Sequence, residues 1–587
     1  MVANIVNFNL STDVKIQLLT PGAGTFILGQ SLLGGTDVLS DTEPTWENVV
    51  NDGVTGVQWS RGMGLDAAVR VIEAGSCQLS FITQTFDPWL DTNVRIGAQM
   101  RVVLEREPEG TTYTNFVPNP SFEQGVAFGW TSTGAVITQV NTQAYSGTDS
   151  LQVACAAVDQ SAYNDAAYRP TVYPSTAFIG SMWVKGEAGK SVALEITDYT
   201  AGGSALTTTV GSTTVMTGDW QRLTLSKTMG ATASTARLLI RNKTAGAHTF
   251  YIDAIMLTEG TTLLDYFDGD GQVYNDEGIA IWFYDWIDVP SQSASFKRAI
   301  ATPLFTGKID SLAMSYDKDG WATVNVSLVD ATKEALNYRI PEYVTDTGTY
   351  PYDLASQVIF AMTEPSGLVP NPFNNEGETA HLGPYDTGAQ AEVIAGDLIN
   401  QAIEAEQGWF WVSKDNTEYV YLGRGFAGYD PVLTFGNNEP ESETYFPIRE
   451  IDIDLSTDRI VNAVNVTSSY DPGLTQVSAR NQDSIDLYGF LSQDFSPYLY
   501  DANELVSWAD NLPMATQSRR INSVTVSAIT QDNNLNAVAT LPLADSVTLD
   551  FSRSGFTIND SYMIRRITHT LTFEEWLTTF ELWKGNN

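Results

Sequence analysis

The side chains that most often carry catalysis are scarce in this sequence. The three histidines lie more than one hundred residues apart, and the two cysteines form neither a disulfide framework nor a zinc-site pattern: His248, His381, His569, Cys77 and Cys155. A serine–histidine or cysteine–histidine centre would therefore depend on chance proximity in the fold. Nucleophile-elbow, phosphate-loop and metalloprotease motifs are absent from the sequence. We expect a protein that is not an enzyme.

Carboxylates are the abundant reactive groups. The chain of 587 residues has 70 Asp and Glu against 31 Lys and Arg, a formal net charge of −39. Binding nucleic acid or an anionic membrane through the overall field requires the opposite sign. A carboxylate pair can hydrolyse glycosides, but proximity in sequence says little when carboxylates are so common. A glycan hydrolase therefore stays open as the alternative.

Neither a membrane-spanning helix nor a signal peptide is expected. No window approaches 18 uninterrupted apolar residues, and Met1 to Leu19 lacks a basic stretch followed by an apolar run. The length predicts three to five domains, and 43% apolar residues are enough for several hydrophobic cores.

Most of the sequence predicts β-strands, and helices are few. Thr323 to Val329 alternates apolar and polar residues, as a half-buried strand does. Helices are predicted over 353–362, 391–407 and 501–512, with Gly408 as the C-terminal cap of the second. Two aromatic-rich runs after that glycine predict a hairpin.

Residues 110–270 differ in composition from the rest. They are rich in Thr, Ser, Ala and Gly, have evenly spaced strands, and are bounded by turn-rich segments at 108–110 and 268–271. We predict an antiparallel β-sandwich inserted into another domain. The aromatic run Trp282 to Ile287 follows it, and predicts a barrel strand with one buried face or, alternatively, an interface.

The inserted block resembles the jelly-roll carbohydrate-binding modules of glycoside hydrolases and phage tail proteins. The matching segments, in the family's order, are Asn115-Phe116-Val117-Pro118-Asn119-Pro120-Ser121-Phe122-Glu123, Gly129-Trp130, Ser146-Gly147-Thr148-Asp149-Ser150-Leu151, Trp183-Val184-Lys185-Gly186, Gly218-Asp219-Trp220 and Tyr251-Ile252-Asp253-Ala254-Ile255-Met256-Leu257. The resemblance implies a two-sheet sandwich that binds sugar.

The same resemblance implies a structural Ca²⁺. Its ligands would be the carboxylates of Glu123 and Asp253, with backbone carbonyls near the 146–150 turn. Hard oxygen ligands suit Ca²⁺, and the ion would hold the first strand of the module to the last. The alternative interpretation is a hydrogen-bonded carboxylate at a strand end.

Sugar binding requires flat aromatic faces with polar groups at their edges. The candidate glycan-binding residues are Tyr163, Tyr168 and Trp183, with Tyr173 as a further aromatic and Asn164, Asp165 and Arg169 as polar edges. Alternation along 178–184 places Trp183 on the opposite face from Phe178, Met182 and Val184. Trp130 and Trp220 are expected in the core.

The flanking sequence resembles phage tail hub, or minor tail, proteins. The matching segments are 57–62, 74–81, 96–102 and 304–310, then the helix and hairpin at 391–422, and finally 462–466, 484–489 and 572–583. With the insert, this predicts a mainly β multidomain fold. Its parts are a first hub β-barrel of 1–108 plus 272–335, the jelly roll at 109–271, an α+β middle domain at 336–435 and a second hub β-barrel at 436–587.

This second resemblance implies a structural protein of the virion. It would form a homotrimeric ring at the tail tip of a long-tailed actinobacterial-type phage, around a channel through which phage DNA passes without specific binding. Its partners would be the distal tail ring, the tape measure, tip proteins and a host-surface glycan. It would be made in the host cytoplasm. The alternatives are a tail-associated cell-wall glycan hydrolase with an accessory binding module, and a bacterial adhesin.

Overall fold

The computed structural model describes residues 13–20, 45–49, 54–66, 69–84, 86–89, 91, 93–105, 110–124, 128–270, 282–340, 350–362, 367–370, 382, 392–423, 431, 433–442, 444–454, 460–471, 473–511, 520–529, 537–572 and 574–584. The chain is mainly β and multidomain, which confirms the predicted fold class. Among the described residues no helix is both long and apolar enough to span a bilayer.

The chain divides into two compact units. The larger unit contains Met1–Arg106, Asn275–Ile279 and Thr302–Asn587, and the smaller contains Glu107–Tyr274 and Ala280–Ala301. The first strands of the larger unit are β1 (Val14–Thr20), β2 (Thr45–Asn48), β3 (Val54–Gly62), β4 (Gly64–Asp66), β5 (Val69–Val71), β6 (Ser76–Thr83) and β7 (Gln99–Leu104).

The smaller unit follows in the chain with fourteen described strands and one 3-10 turn at Ala166–Tyr168. Its strands are β8 (Thr112–Asn115), β9 (Trp130–Thr133), β10 (Val136–Val140), β11 (Ser150–Cys155), β12 (Ser161–Asn164), β13 (Ala177–Gly186), β14 (Ser191–Tyr199), β15 (Ala205–Val210), β16 (Thr214–Val215), β17 (Gln221–Thr228), β18 (Thr235–Asn242), β19 (His248–Glu259), β20 (Trp282–Trp286) and β21 (Ser295–Ala299).

The larger unit then resumes. Its remaining described elements are β22 (Thr302–Tyr316), β23 (Ala322–Val329), α1 (Thr332–Asn337), β24 (Arg339–Ile340), α2 (Pro351–Ala361), β25 (Val369–Pro370), β26 (Val393–Ile394), α3 (Ala395–Glu406), β27 (Trp409–Val412), β28 (Glu418–Leu422), β29 (Leu433–Gly436), β30 (Tyr445–Asp454), β31 (Ala463–Val466), β32 (Val477–Arg480), α4 (Gln482–Tyr488), β33 (Ser492–Phe495), α5 (Ala502–Asn511), β34 (Arg520–Ser527), a 3-10 turn at Ala537–Thr540, β35 (Ser546–Arg553), β36 (Phe556–Leu571) and β37 (Trp576–Trp583).

One thirteen-stranded sheet runs through the larger unit, in the order β2-β1-β7-β22-β23-β6-β3-β36-β35-β29-β30-β34-β37. Because β37 also pairs with β36, the last six strands of this order close into a barrel. Five of these six strands lie within 436–587, the range predicted as the second barrel, and β29 lies at its boundary. The seven preceding strands form a continuous run that joins the barrel through β3 and β36.

Strand β23 shows why the sequence specifies this sheet. Val324, Val326 and Leu328 are buried on one face, and the intervening Thr323 and Asn325 are exposed. Burial alternates with the period of two that the sequence predicts, since successive side chains point to opposite faces of a strand. The strand lies between β22 and β6, so both its backbone edges are paired.

The predicted helices and hairpin are present, with one boundary corrected. Strands β27 and β28 pair as an antiparallel hairpin after helix α3. The left-handed residue that ends α3 is Gln407, at φ 52° and ψ 40°, rather than Gly408. The Gln407 side-chain amide donates to the Trp508 carbonyl, a tertiary contact that holds a conformation for which the sequence favours glycine.

Two sheets of the smaller unit enclose its hydrophobic core. The five-stranded sheet has the order β10-β11-β19-β13-β17, and the facing sheet has the order β15-β14-β18-β12-β9 with β16 beside β14. Alternate residues of both sheets supply the core, among them Phe178, Ile196, Leu238, Phe250 and Ile252. This arrangement is the antiparallel sandwich that the composition predicts.

The aromatic run Trp282 to Ile287 lies in the smaller unit. Strand β20 pairs with β21, which pairs with β8 at the start of that unit. The sequence pattern had predicted this run as part of the first barrel, within 272–335. Trp286 is buried, and its indole N–H donates to the Asp270 carboxylate at 2.9 Å. A period-two pattern identifies the strand but does not identify the strand that it pairs with.

Candidate functional site

The two predicted metal ligands converge on one loop of the smaller unit, residues 143–150. The Glu123 carboxylate accepts hydrogen bonds from the backbone N–H groups of Thr148, at 2.9 Å, and Asp149, at 3.0 Å. It also accepts from the Thr148 hydroxyl at 2.7 Å. The loop therefore wraps around this carboxylate, and Gly147 leaves room for it, because a Cβ there would lie 2.2 Å from a Glu123 oxygen.

Asp253 holds the other end of the same loop. It lies in β19 and is fully buried, and its carboxylate accepts from the backbone N–H groups of Tyr145, at 2.6 Å, and Ser146, at 3.0 Å. Burial is the largest cause that raises the pKa of Asp253, to about 7, and the negative charge of Glu123 raises it further. A cation at this position would favour the ionised form.

Carboxylate oxygens are ligands that a hard cation takes, and those of Glu123 and Asp253 already accept hydrogen bonds from N–H groups of this loop. Two carboxylates supply at most four oxygens, whereas Ca²⁺ takes six to eight. No cluster of three or more His, Cys, Asp or Glu side chains with metal-binding geometry occurs in the described parts of the chain. The remaining ligands would therefore be backbone carbonyls of the loop or water. Glu123 and Asp253 are the side chains that would hold the ion.

A second feature is the outer face of the sheet that contains β14, β18 and β12. Ala162, Leu238 and Ile196 point into the core, so their neighbours Tyr163 and Arg237 point outward. The Arg237 guanidinium lies 4.9 Å from the centre of the Tyr163 ring. We call the four residues Tyr163, Arg169, Tyr199 and Arg237 the tyrosine–arginine face.

Two guanidinium groups cover the deeper ring of the tyrosine–arginine face. Tyr199 is buried, and Arg169 lies 3.6 Å from its ring centre, with Arg237 at 5.7 Å. Register explains the convergence, since Arg237 lies diagonally across from both Tyr199 on β14 and Tyr163 on β12. The half-buried Tyr163 ring also receives a hydrogen bond on its hydroxyl from Thr133 at 3.3 Å.

Trp183 lies on the other sheet of the sandwich. Its ring stacks on Tyr145, with ring centres 3.8 Å apart and planes 15° apart, and Tyr145 in turn meets Trp220 edge to face. The Trp183 indole N–H is buried without an acceptor among the described residues. Stacking under Tyr145 covers one face of the indole, so the exposed ring of this cluster is that of Tyr145.

The three predicted glycan-binding residues are therefore not brought together. Tyr163 and Trp183 lie on the outer faces of opposite sheets, and the Tyr168 ring packs against Phe128 at 4.7 Å. Tyr173 is exposed beside Phe116. Strand alternation tells which side chains point outward, but it does not tell which sheet a strand joins.

The predicted polar edges have three different roles. The Asn164 side chain is buried and accepts from the Leu238 backbone N–H. Asp165 caps the 3-10 turn by accepting from Ala167. Arg169 alone lies on the tyrosine–arginine face.

Trp130 and Trp220 were both expected in the core, and only Trp130 lies there. Trp130 is buried among the core residues, whereas Trp220 is half-buried against Tyr145.

Sequence reasoning missed Arg237, Tyr199 and Tyr145. For Arg237 a signal existed, because it stands between the apolar residues Ala236 and Leu238 of a strand, where only an outward position suits a guanidinium. For Tyr145 no signal existed, because its stacking partner is distant in the chain. His381 lies outside the described residues.

Comparisons with known proteins find a family match within the smaller unit. Residues 114–246 match the model of a family described as a carbohydrate binding domain. The sequence matches no curated protein significantly. Among solved structures, the chain is similar to a tail protein from Neisseria meningitidis MC58, with 15% identity, a TM-score of 0.37 and coverage of 49% of this chain and 83% of that one.

Two further solved structures are similar to the chain. The 43 kDa tail protein of prophage MuSo2 from Shewanella oneidensis has 10% identity and a TM-score of 0.34, with coverage of 48% of this chain and 80% of that one. The CBM22-1 xylan-binding domain from Paenibacillus barcinonensis Xyn10C has 18% identity and a TM-score of 0.20, with coverage of 27% and 99%.

Proposed function

We propose that this chain is a structural hub protein of a phage tail tip, and that its inserted module binds a glycan on the host surface. The observation that carries the glycan half is the family match over 114–246, which falls within the smaller compact unit. That unit is a two-sheet sandwich with an outward tyrosine and two arginines on one face. These groups suit sugar, because pyranose C–H surfaces pack on aromatic rings and hydroxyls bond to guanidinium groups.

The glycan site of this proposal is the tyrosine–arginine face. Tyr163 offers a half-buried ring beside Arg237, which is the pairing of an apolar platform with a polar edge. Trp183 offers less aromatic surface to a sugar, because Tyr145 stacks on one face of its ring. We therefore assign Trp183 and Tyr145 to holding the 143–150 loop on the sheet.

The hub half rests on the order of the flanking motifs, and the topology supplies a physical reason for the insertion. Strand β7 ends at Leu104 and β22 begins at Thr302, and these two residues are register partners in one sheet. The chain therefore leaves and re-enters the larger unit at adjacent positions. An insert whose ends are close together leaves the host sheet intact.

The virion context proposed here is a homotrimeric ring around the DNA exit channel. Two barrels per chain would give six barrel positions per trimer, and heterologous contacts close into a ring when the rotation completes a circle. Each chain brings a formal charge of −39, so an acidic lumen would repel phage DNA and let it slide. The distal tail ring, tape measure and tip proteins would be its neighbours. Electron microscopy of the particle tests this, and six copies in one ring would contradict it.

The proposed role is binding rather than catalysis, with a Ca²⁺ ion held by Glu123 and Asp253. The ion would hold the loop against β19 and so stiffen one end of the module. A tail-associated glycan hydrolase is the competing function. Release of reducing sugar from host cell wall by the purified chain would favour that competitor.

The glycan half is tested by sedimentation of the full chain with host cell walls, with and without a Ca²⁺ chelator. Tyr163→Ala is expected to weaken retention roughly tenfold, because the aromatic platform is lost. Tyr251→Ala is the matched control, since Tyr251 is also half-buried but lies on β19 of the other sheet. Equal retention of both variants would refute the assigned site, and no retention of the wild type would refute glycan binding.

A further inference from the structure

The tyrosine–arginine face leaves two cations without charged partners. In the described chain, neither the Arg169 nor the Arg237 guanidinium has a carboxylate or hydrogen-bond partner, and the Nε–H of each is buried without an acceptor. A buried donor without an acceptor costs free energy that a suitable ligand would recover. This is notable in a chain that has 70 carboxylates to offer.

Neighbouring cations of the same unit are neutralised. The Arg241 guanidinium donates to both oxygens of Glu195, at 2.5 and 2.8 Å, and Lys243 lies 3.7 Å from the same carboxylate. Lys227 is buried 3.3 Å from Asp198. Arg169 and Arg237, which stack on the tyrosines, have no such carboxylate among the described residues.

We propose that the tyrosine–arginine face binds an anionic glycan, whose carboxylate or phosphate group is held by the guanidinium groups of Arg169 and Arg237. The inference rests on the proposed glycan-binding function and names its ligand class. Stacking on Tyr199 keeps both guanidinium planes in place, so little side-chain entropy is lost when an anion binds. Planar guanidinium donors match the geometry of carboxylate and phosphate oxygens.

The net charge of the chain also affects how an anionic sugar would bind. The chain carries a net charge of −39, so an anionic polymer is repelled at long range and is bound only where local cations are unpaired. Recognition would thus depend on close contact at one face. A neutral glycan would leave both guanidinium groups without a counterion, whereas an anionic one satisfies them.

The test is native affinity electrophoresis of the full chain through gels that contain a defined polymer. Polygalacturonate presents carboxylates, poly(glycerol phosphate) presents phosphates, and fully methyl-esterified polygalacturonate presents the same sugar backbone without charge. Xylan and host wall polysaccharide complete the panel. We expect at least one charged polymer to retard the wild-type chain, and the methyl ester to bind at least about tenfold more weakly, since charged hydrogen bonds are lost.

The matched variants keep the change in net charge equal. Arg169→Gln combined with Arg237→Gln is expected to weaken binding of the charged polymer at least about tenfold. Lys185→Gln combined with Lys190→Gln removes the same charge away from the face and is expected to leave binding unchanged. The comparison of polygalacturonate with its methyl ester uses the wild-type chain alone, so it stands even if the arginine variant does not fold.

The outcomes separate this inference from the function on which it rests. Retardation by polygalacturonate alone identifies a uronate, and by poly(glycerol phosphate) alone a phosphate. Equal binding of the methyl ester or xylan, or unchanged binding by the arginine variant, overturns the anionic ligand but leaves glycan binding in place. Failure of every polymer, including host wall polysaccharide, to retard the chain refutes the proposed function itself.

Discussion

Replacing Asp253 by Asn is expected to remove a loss of folding stability that the smaller unit undergoes as the pH rises. The Asp253 carboxyl is fully buried in β19, and burial is the main cause that raises its pKa from 3.8 to about 7. The nearby Glu123 carboxylate raises it further, while the N–H groups of Tyr145 and Ser146 oppose the shift. Ionisation of this group therefore works against the folded state.

The direction and size of the pH effect on folding stability follow from the raised pKa of Asp253. A carboxyl with a raised pKa binds its proton more tightly in the folded chain, so its stabilising contribution is complete below about pH 4 and is lost as the pH rises through 7. A shift from 3.8 to about 7 corresponds to about 4 kcal/mol at 1.36 kcal/mol per unit. The Asn variant has no such proton to lose.

Hydrogen exchange of the full chain, measured by mass spectrometry with chelator present, reports the stability of the strands around Asp253. Between pH 5 and pH 8, after correction for intrinsic exchange, the opening free energy of β11 and β19 peptides should fall by up to about 3 kcal/mol in the wild type, since part of the total is already lost between pH 4 and pH 5. It should stay level in Asp253→Asn. Added Ca²⁺ at pH 8 should restore protection in the wild type only, because the cation stabilises the ionised carboxylate.

Asp149→Asn is the control for this experiment, since Asp149 belongs to the same loop but is only half-buried. It should keep the wild-type dependence on pH. An identical pH slope in the wild type and in Asp253→Asn would refute the reasoning about burial. Equal protection of both by Ca²⁺ would refute the assignment of Asp253 as a ligand.

Three further substitutions test the packing of the two units. Asp198→Ala should cost about 3–5 kcal/mol in urea unfolding, because the Lys227 ammonium stays buried without its carboxylate partner, and adding Lys227→Met should recover part of that loss. Arg70→Met should cost about 2–4 kcal/mol, since Arg70 is buried and donates to the carbonyls of Gln407 and Gly408 at the end of α3. Phe178→Ala should lower the melting temperature of the smaller unit by an amount equivalent to about 3–5 kcal/mol, because it empties a fully buried core position.

Local patterns predicted the elements well. The alternation in β23, the hairpin after α3 and the start of the helix predicted over 501–512 follow from interactions within a few residues. At that helix start the Asp501 carboxylate accepts from the backbone N–H groups of Asn503 and Glu504. Such interactions act on the nearest backbone whatever the rest of the chain does. The closing of a barrel by β36 and β37 also joins neighbours in sequence.

The sequence did not predict which strands pair when they lie far apart in the chain. Trp282 to Trp286 was correctly read as a strand, but its partners were set by the pairing of β21 with β8, nearly two hundred residues away in the chain. Tyr163 and Trp183 were both candidates for one glycan site, yet they belong to different sheets. The carboxylates Glu123 and Asp253 were brought to one loop, and here the family resemblance supplied what spacing could not.

The most direct test of glycan binding at the tyrosine–arginine face is a crystal structure of the chain with an oligosaccharide prepared from the host wall. The expected result is a sugar ring packed on Tyr163, with an anionic substituent between the guanidinium groups of Arg169 and Arg237. Density for the sugar at Tyr145 and Trp183, or at neither place under saturating ligand, would contradict it.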